Sequence, residues 1–196
     1  MASPKRGGFY IGIGVCLMLA MGLLLLPLQW VCSVICAALW HEFCHYAAIR
    51  LCGARPISWR IGSGGMEMAI SDLPQWQELI CALAGPLGGF MTLAVMRFFP
   101  RFTLCCVAHG IYNLLPVYPL DGGRALRCAG SLLFGVKGKK IADVLSAVCV
   151  IFLLLLGGFA ASVWKLGCIA LFPGILLGIR SGLIKFPCKP MHKRVQ

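Results

Sequence analysis

Charged residues are scarce in this sequence, and acidic residues are the scarcest of them. Asp and Glu together number 6 of 196 residues, all charged residues make up 12%, and apolar residues make up 60%. A soluble domain carries about 25% charged residues, so the composition excludes a soluble globular domain and predicts a polytopic membrane protein. A span takes about 20 residues, so the length suits about six spans with short connections and leaves no separate soluble domain.

Basic residues are in excess, and the formal net charge is +12. Binding of nucleic acid would need a folded domain with a basic face and interleaved aromatic residues, so we expect no nucleic-acid partner. Basic residues instead mark the cytoplasmic side of membrane proteins. If both termini are cytoplasmic, every Lys and Arg except Arg97, Arg101 and Lys165 lies on that side. We therefore predict a multi-pass protein of the cell membrane, with the lipid bilayer as its surroundings.

Clustered C-x-x-C spacing is missing, although the chain has 12 Cys. The cysteines are scattered through apolar runs, where Cys is usually a small buried hydrophobic residue. The pattern excludes a cysteine-based zinc or redox site, and it predicts free thiols without a disulfide framework.

The apolar runs predict the order of the spans. A hairpin signal separates the second span from the third, because two short strand-like runs flank Gly62-Ser-Gly-Gly65. A basic loop carrying Arg124, Arg127 and three lysines is expected before the fifth span. The prediction is an all-α polytopic membrane protein with a small β-hairpin, whose single domain covers residues 1–196 and whose spans cover residues 9–28, 30–52, 78–98, 102–117, 141–163 and 166–184.

The second span contains His41-Glu42-Phe43-Cys44-His45, which reads H-E-x-x-H. Residues i and i+4 of a helix share one face, so both imidazoles can bind one zinc ion, and Glu42 can take a proton from a water beside the metal. The alternative interpretation is a polar cluster between packed helices. Ionisable residues inside a membrane are costly and mark function by default, which favours the metal site.

A catalytic zinc takes three protein ligands and keeps one position open. Candidates for the third ligand within the apolar part of the chain are His109, Asp121 and Asp143. We favour Asp121, because Pro116, Pro119 and two glycines break the helix around it, and broken backbone at membrane depth lines a cavity or is buried. His109 would lie roughly 18 Å from Asp121 in a continuous helix, so we expect it to pack between helices, and Asp143 to pair beside the basic loop.

The motifs carry a family resemblance. His41-Glu42-x-x-His45, Ala84-Gly85-Pro86 and Asn113-x-x-Pro-x-x-Pro-Leu-Asp121-Gly-Gly resemble the site-2 proteases, the intramembrane zinc metalloproteases of the M50 class, and the layout is most similar to the branch of stage IV sporulation protein FB. The resemblance covers about residues 30–127, which would form the catalytic core. It implies that His41, His45 and Asp121 bind Zn²⁺, that Glu42 is the catalytic base, and that Asn113 binds substrate.

The resemblance also implies a membrane-associated protein substrate, regulated proteolysis and a possible membrane regulatory partner. Two departures stand out. The family often has Asn where this chain has Gly89, and the sporulation branch usually carries a nucleotide-sensing C-terminal domain, which we do not expect here. A membrane zinc transporter and a non-catalytic scaffold remain the alternatives. The first is disfavoured because no second H-E-x-x-H repeats, and the second because Glu42 is intact.

Overall fold

The computed structural model describes residues 10–11, 13–54, 56–62, 65–70 and 73–163. Five helices form the bulk of this part: α1 (Ile13–Leu25), α2 (Leu28–Leu51), α3 (Gln75–Met91), α4 (Pro100–Asn113) and α5 (Asp121–Val163). Three strands, β1 (Tyr10–Ile11), β2 (Pro56–Gly62) and β3 (Gly65–Ile70), form one sheet. The sixth predicted span, residues 166–184, and both chain ends lie outside the described residues.

Helix α2 ends in a defined cap. Gly53 has a φ of 79°, a left-handed conformation that glycine adopts without steric cost. The N–H of Ala54 donates to the carbonyl of Ile49, and the N–H of Gly53 donates to that of Arg50. This is the Schellman pattern of hydrogen bonds, with Ala54 and Ile49 buried together beside it. The chain therefore leaves α2 in a fixed direction toward β2.

The two longer strands, β2 and β3, lie between α2 and α3 in the chain, whereas β1 precedes α1. β2 and β3 pair antiparallel, with Gly62 opposite Gly65 at the turn. β1 pairs parallel with β2, through Tyr10 opposite Arg60 and Ile11 opposite Ile61. β2 is the central strand, so β3 has one neighbour among the described strands.

Glycines let α3 pack closely against two other helices. A Cβ at Gly88 would overlap the side chain of Cys44 on α2, and one at Gly89 would lie 2.8 Å from the carbonyl oxygen of Cys106 on α4. Small residues permit this close approach between membrane helices. The Cβ of an Asn at position 89 would overlap the backbone of Cys106. The packing of α4 against α3 therefore explains why this chain has Gly89 where the family often has Asn.

Helix α5 consists of two arms that meet at Gly135, where φ is 58° and ψ is −136°. The second arm returns beside the first, because Gly130 and Gly138 are in backbone contact across the reversal. The basic loop predicted after Asp121 is therefore wrong, since residues 121–134 and 136–140 are helical. The charged residues of this stretch are spread among Ala, Leu and Cys, which favour or tolerate a helix. The loop was predicted from charge alone, and helix propensity was not considered.

Three stretches of the described chain are long and apolar enough to cross a membrane: Leu28–Leu51, Gln75–Val95 and Asp121–Phe159. Helices α1 and α4, with 13 and 14 residues, are shorter than the predicted spans. Each of the first five predicted spans overlaps a helix, and the number of spans stays a prediction.

Candidate metal centre

Helix α2 carries both histidines of the H-E-x-x-H motif into the interior of the protein. His41 is 3% exposed and His45 is 8% exposed. Their rings meet edge to face, with centroids 4.7 Å apart. The i, i+4 spacing places them one turn apart on the face of α2 that packs against α3 and α4.

Asp121 joins the two histidines from far along the chain. It is 8% exposed and begins α5, directly after the segment that connects α4 to α5. Its Oδ2 lies 2.9 Å from Nε2 of His41 and 3.0 Å from Nε2 of His45. The two Nε2 atoms lie 3.1 Å from each other. Three potential ligand atoms of two residue types therefore converge on one point in a buried site.

The spacing of these atoms suits a small divalent metal ion. Zinc bonds of about 2.0–2.2 Å in a tetrahedral arrangement place neighbouring ligand atoms about 3.3–3.6 Å apart. The distances among His41, His45 and Asp121 are 2.9–3.1 Å, so a slight outward rotation of the side chains accommodates the ion. The two imidazoles and one carboxylate leave a fourth position for a water or a substrate, as catalytic zinc sites do.

Gly85 keeps the space beside the two imidazoles open. A Cβ at this position would lie 2.7 Å from Nε2 of His41 and closer still to Nε2 of His45. Any side chain on residue 85 would therefore enter the volume into which the candidate ligand atoms of His41 and His45 point. In the sequence the Ala84-Gly85-Pro86 motif serves only as part of the family resemblance, and the proximity of Gly85 to the two imidazoles is not predicted there.

The two histidines differ in what holds their second ring nitrogen. Nδ1 of His45 donates to the backbone carbonyl of Cys81 on α3, at 2.7 Å. This bond fixes the tautomer, because a proton on Nδ1 leaves the lone pair of Nε2 available for a metal. Nδ1 of His41 is buried and has no hydrogen-bond partner among the residues that the structure describes.

Glu42 and Asn113 each follow a histidine, Glu42 on α2 and Asn113 on α4. Glu42 follows His41 on α2 and is partly exposed. Asn113 is the last residue of α4 and is also partly exposed, and its Nδ2 donates to the carbonyl of His109, at 3.1 Å. Both residues are therefore near the histidines along their helices but less buried than they are.

His109 lies much closer to the cluster than the sequence predicted. Its ring meets that of His41 edge to face, with centroids 4.6 Å apart. The expected distance from Asp121 assumed a helix without interruption, whereas α4 ends at Asn113 and the chain turns back before α5 begins. The prediction that His109 is remote from the site is wrong. Pro116 and Pro119 interrupt the helix between His109 and Asp121, so the distance along a straight helix does not apply to this pair.

Contacts from both arms of α5 hold the segment that leads into Asp121. The N–H of Tyr118 donates to Oγ of Ser146, at 2.9 Å. The guanidinium of Arg127 lies 3.6 Å from the centre of the Tyr118 ring and also pairs with Asp143. Asp143 therefore pairs with a basic residue, as predicted, and is not part of the cluster of His41, His45 and Asp121.

Comparison with known proteins gives the fold. No family model matches the chain. A zinc metalloprotease of Methanocaldococcus jannaschii is 33% identical over an alignment 109 residues long, and the match covers 48% of this chain and 32% of that protein. The chain thus spans about a third of the length of this curated relative. The solved structure of the site-2 protease from the same organism matches with a TM-score of 0.67 and 20% identity, over 96% of this chain and 97% of that one.

The chain has the site-2 protease fold. This agrees with the family resemblance that the three motifs carry. Together with the three apolar helices of sufficient length, it makes the chain a membrane protein.

Proposed function

We propose that this chain is an intramembrane zinc metalloprotease that hydrolyses a peptide bond in or beside a membrane-associated segment of a protein substrate. The observation that carries the proposal is the convergence of Nε2 of His41, Nε2 of His45 and Oδ2 of Asp121 within 3.1 Å of one another, next to Glu42. The names of the curated relative and of the matching structure, a zinc metalloprotease and a site-2 protease, support it.

The residues divide the chemistry among them. His41, His45 and Asp121 would hold Zn²⁺, which when bound polarises a carbonyl and lowers the pKa of a water toward 7. Glu42 accepts the proton of the attacking water and passes it to the nitrogen of the leaving amine, so that no free amide anion has to leave. Burial of the three ligand residues keeps bulk water away and strengthens the interaction of Glu42 with the reacting groups.

Substrate binding falls to the less buried groups around the cluster. Asn113 would hold the substrate backbone, at the same end of α4 as the broken segment. The edge of β3 that has no neighbour among the described strands is a candidate for strand addition, because an extended peptide that pairs with a sheet edge presents its amides without internal hydrogen bonds. A helical substrate has to unwind first, since its amides are otherwise engaged with one another.

The distribution of basic residues favours cytoplasmic termini, because Lys and Arg are enriched in cytoplasmic loops. In that orientation the ends of α2 and α4 that bear the site face the cytoplasmic half of the membrane. Cleavage would then occur near the cytoplasmic end of the substrate segment. A membrane partner that controls access of the substrate fits this arrangement and the class of reaction.

The test compares the wild type with Glu42→Gln, both purified in detergent and supplied with a membrane-protein reporter. We expect Glu42→Gln to bind one zinc per chain and to lose most turnover, on the order of a hundredfold or more, because the proton acceptor is gone. Glu78→Gln is the matched control. It removes a carboxylate that is half exposed and pairs only loosely with Arg124, at 3.9 Å, and it should cleave normally.

The alternatives predict different outcomes of the same experiment. A zinc transporter would move zinc across proteoliposomes and show no cleavage by the wild type. A non-catalytic scaffold would bind the reporter equally well in both variants and cleave it in neither. Near-normal cleavage by Glu42→Gln would overturn the assignment of the base.

A further inference from the structure

The two metal-binding histidines are supported unequally. His45 has an acceptor for its Nδ1 proton in the carbonyl of Cys81. His41 is the more buried of the two, at 3% exposure, yet its Nδ1 has no hydrogen-bond partner within the described part of the chain. Buried polar nitrogens are nearly always hydrogen-bonded, so this atom calls for an explanation.

Metal binding would increase the need for a hydrogen-bond partner at Nδ1 of His41. Its Nε2 points at Asp121 and His45 and is the atom that would bind the ion. A neutral imidazole that binds a metal through Nε2 carries its proton on Nδ1, and that N–H almost always donates to a carboxylate, a carbonyl or a water. Zinc binding would therefore turn the unpartnered Nδ1 into a buried donor that needs an acceptor.

The ring of His109 is the polar group that the structure places against His41. The two rings are in edge-to-face contact, with centroids 4.6 Å apart and planes 86° apart. His109 is only partly buried, so its ring has room to turn about its side-chain bonds. A neutral imidazole offers one nitrogen as an acceptor.

We propose that His109 is the positioning partner of His41: in the metal-bound protein an imidazole nitrogen of His109 accepts the Nδ1 proton of His41 and fixes the orientation of that ring. The inference rests on the proposed metal site. It adds His109 of α4 to the three ligand residues, as a residue that acts through His41 and does not bind the metal itself. The two ligands on α2 would then be oriented from opposite sides, His45 by α3 and His41 by α4.

The backbone of α4 is suited to this role. Gly110, next to His109, lies close enough to Pro86 of α3 that a Cβ there would be 3.2 Å from the Pro86 carbonyl oxygen. Asn113 closes the last turn by donating to the carbonyl of His109. Both contacts limit movement of α4 at the level of the site, so the His109 side chain can adjust while its backbone stays in place.

Two substitutions separate a hydrogen-bond acceptor from a packing role. His109→Gln keeps an acceptor and loses the ring, whereas His109→Phe keeps an edge-to-face ring and loses the acceptor. Zinc affinity is measured by competition with a chelator in the Glu42→Gln background, so that cleavage plays no part. We expect His109→Phe to lose about 10- to 100-fold in zinc affinity, and His109→Gln to stay within a few-fold of the parent.

An affinity for zinc in His109→Phe that equals or exceeds that of His109→Gln would overturn the proposal, because the ring alone would then be sufficient. A second measurement does not depend on either variant folding. In zinc-loaded protein with ¹⁵N-labelled histidine, coupling between Nδ1 of His41 and a ring nitrogen of His109 across the hydrogen bond is expected, and its absence contradicts the proposal. Failure of the proposed protease function would leave both readouts unaffected, since neither measures cleavage.

Discussion

Two regions of the molecule supply the candidate metal site by different means. His41 and His45 come from one uninterrupted helix, α2, whose periodicity alone puts them on the same face. Asp121 comes from the end of an irregular segment, 76 residues after His45. Its position depends on the contacts of residues 114–120 with both arms of α5, above all those of Tyr118 with Ser146 on the second arm and with Arg127 on the first.

The difference separates local from tertiary control of the same site. The histidine pair survives any change that leaves α2 helical and the space in front of it open. The carboxylate depends on a buried segment in which Val117 is fully buried and Leu120 is 3% exposed, both packed on Val150. Substitutions in the two regions should therefore change metal binding in different ways.

The largest effect is expected from closing the space in front of α2. Gly85→Ala adds a Cβ that would overlap both Nε2 atoms, and the backbone of α3 holds it there, so zinc binding and cleavage should fall below detection. Gly22→Ala is the control, because a Cβ at Gly22 meets nothing within 4 Å. Zinc content and reporter cleavage are measured for both variants. Zinc binding by Gly85→Ala at the wild-type level would show that the site is elsewhere.

A smaller loss is expected from the carboxylate region. Asp121→Asn keeps the shape of the side chain and one oxygen but removes its charge, so zinc affinity and cleavage should fall together, by about a hundredfold. This corresponds to one ligand's share of a binding free energy of about 10 kcal/mol. Asp143→Asn makes the same chemical change at a partly exposed ion pair with Arg127, where the expected effect is at most about 1 kcal/mol. Equal zinc affinities in the two variants would remove Asp121 from the ligand set.

The smallest effect is expected from the support of the segment before Asp121. Ser146→Ala removes the acceptor of the Tyr118 N–H and should cost about 1 kcal/mol, which lowers zinc affinity about threefold to tenfold without abolishing it. Ser33→Ala removes a hydroxyl that bonds only within α2, to the carbonyl of Gln29, and should leave the affinity unchanged. If Ser33→Ala weakens zinc binding more than Ser146→Ala does, the contrast between the two regions is wrong.

The part of the site that rests on short-range rules was predictable from sequence. The spacing of His41 and His45 requires a shared face in any helix. Asp121 was favoured because prolines and glycines break the chain beside it, and the structure brings it to the two histidines. The identity of the metal and the role of Glu42 came from the H-E-x-x-H pattern and the family resemblance together, and the role of Asn113 came from the resemblance alone. The site roles stay predictions.

The features of the site that were not predicted depend on how different helices pack against one another. The spacing of residues along the chain does not determine that packing. His109 reaches His41 only because α4 and α2 pack side by side and α4 stops at Asn113. Gly85 matters because its missing side chain faces atoms on another helix. The helix after Asp121 was taken for a loop because its basic residues suggested solvent, whereas it folds back on itself at Gly135.

The long interval between the ligands has a consequence for how the protein holds together. An ion shared by His45 and Asp121 would join two points 76 residues apart, as a removable crosslink that closes a loop containing α3, α4 and the two longer strands. Each tenfold rise in free zinc above its dissociation constant would add about 1.4 kcal/mol to the free energy of unfolding. The resistance of the protein to heat and to proteolysis would therefore follow the zinc supply of its surroundings.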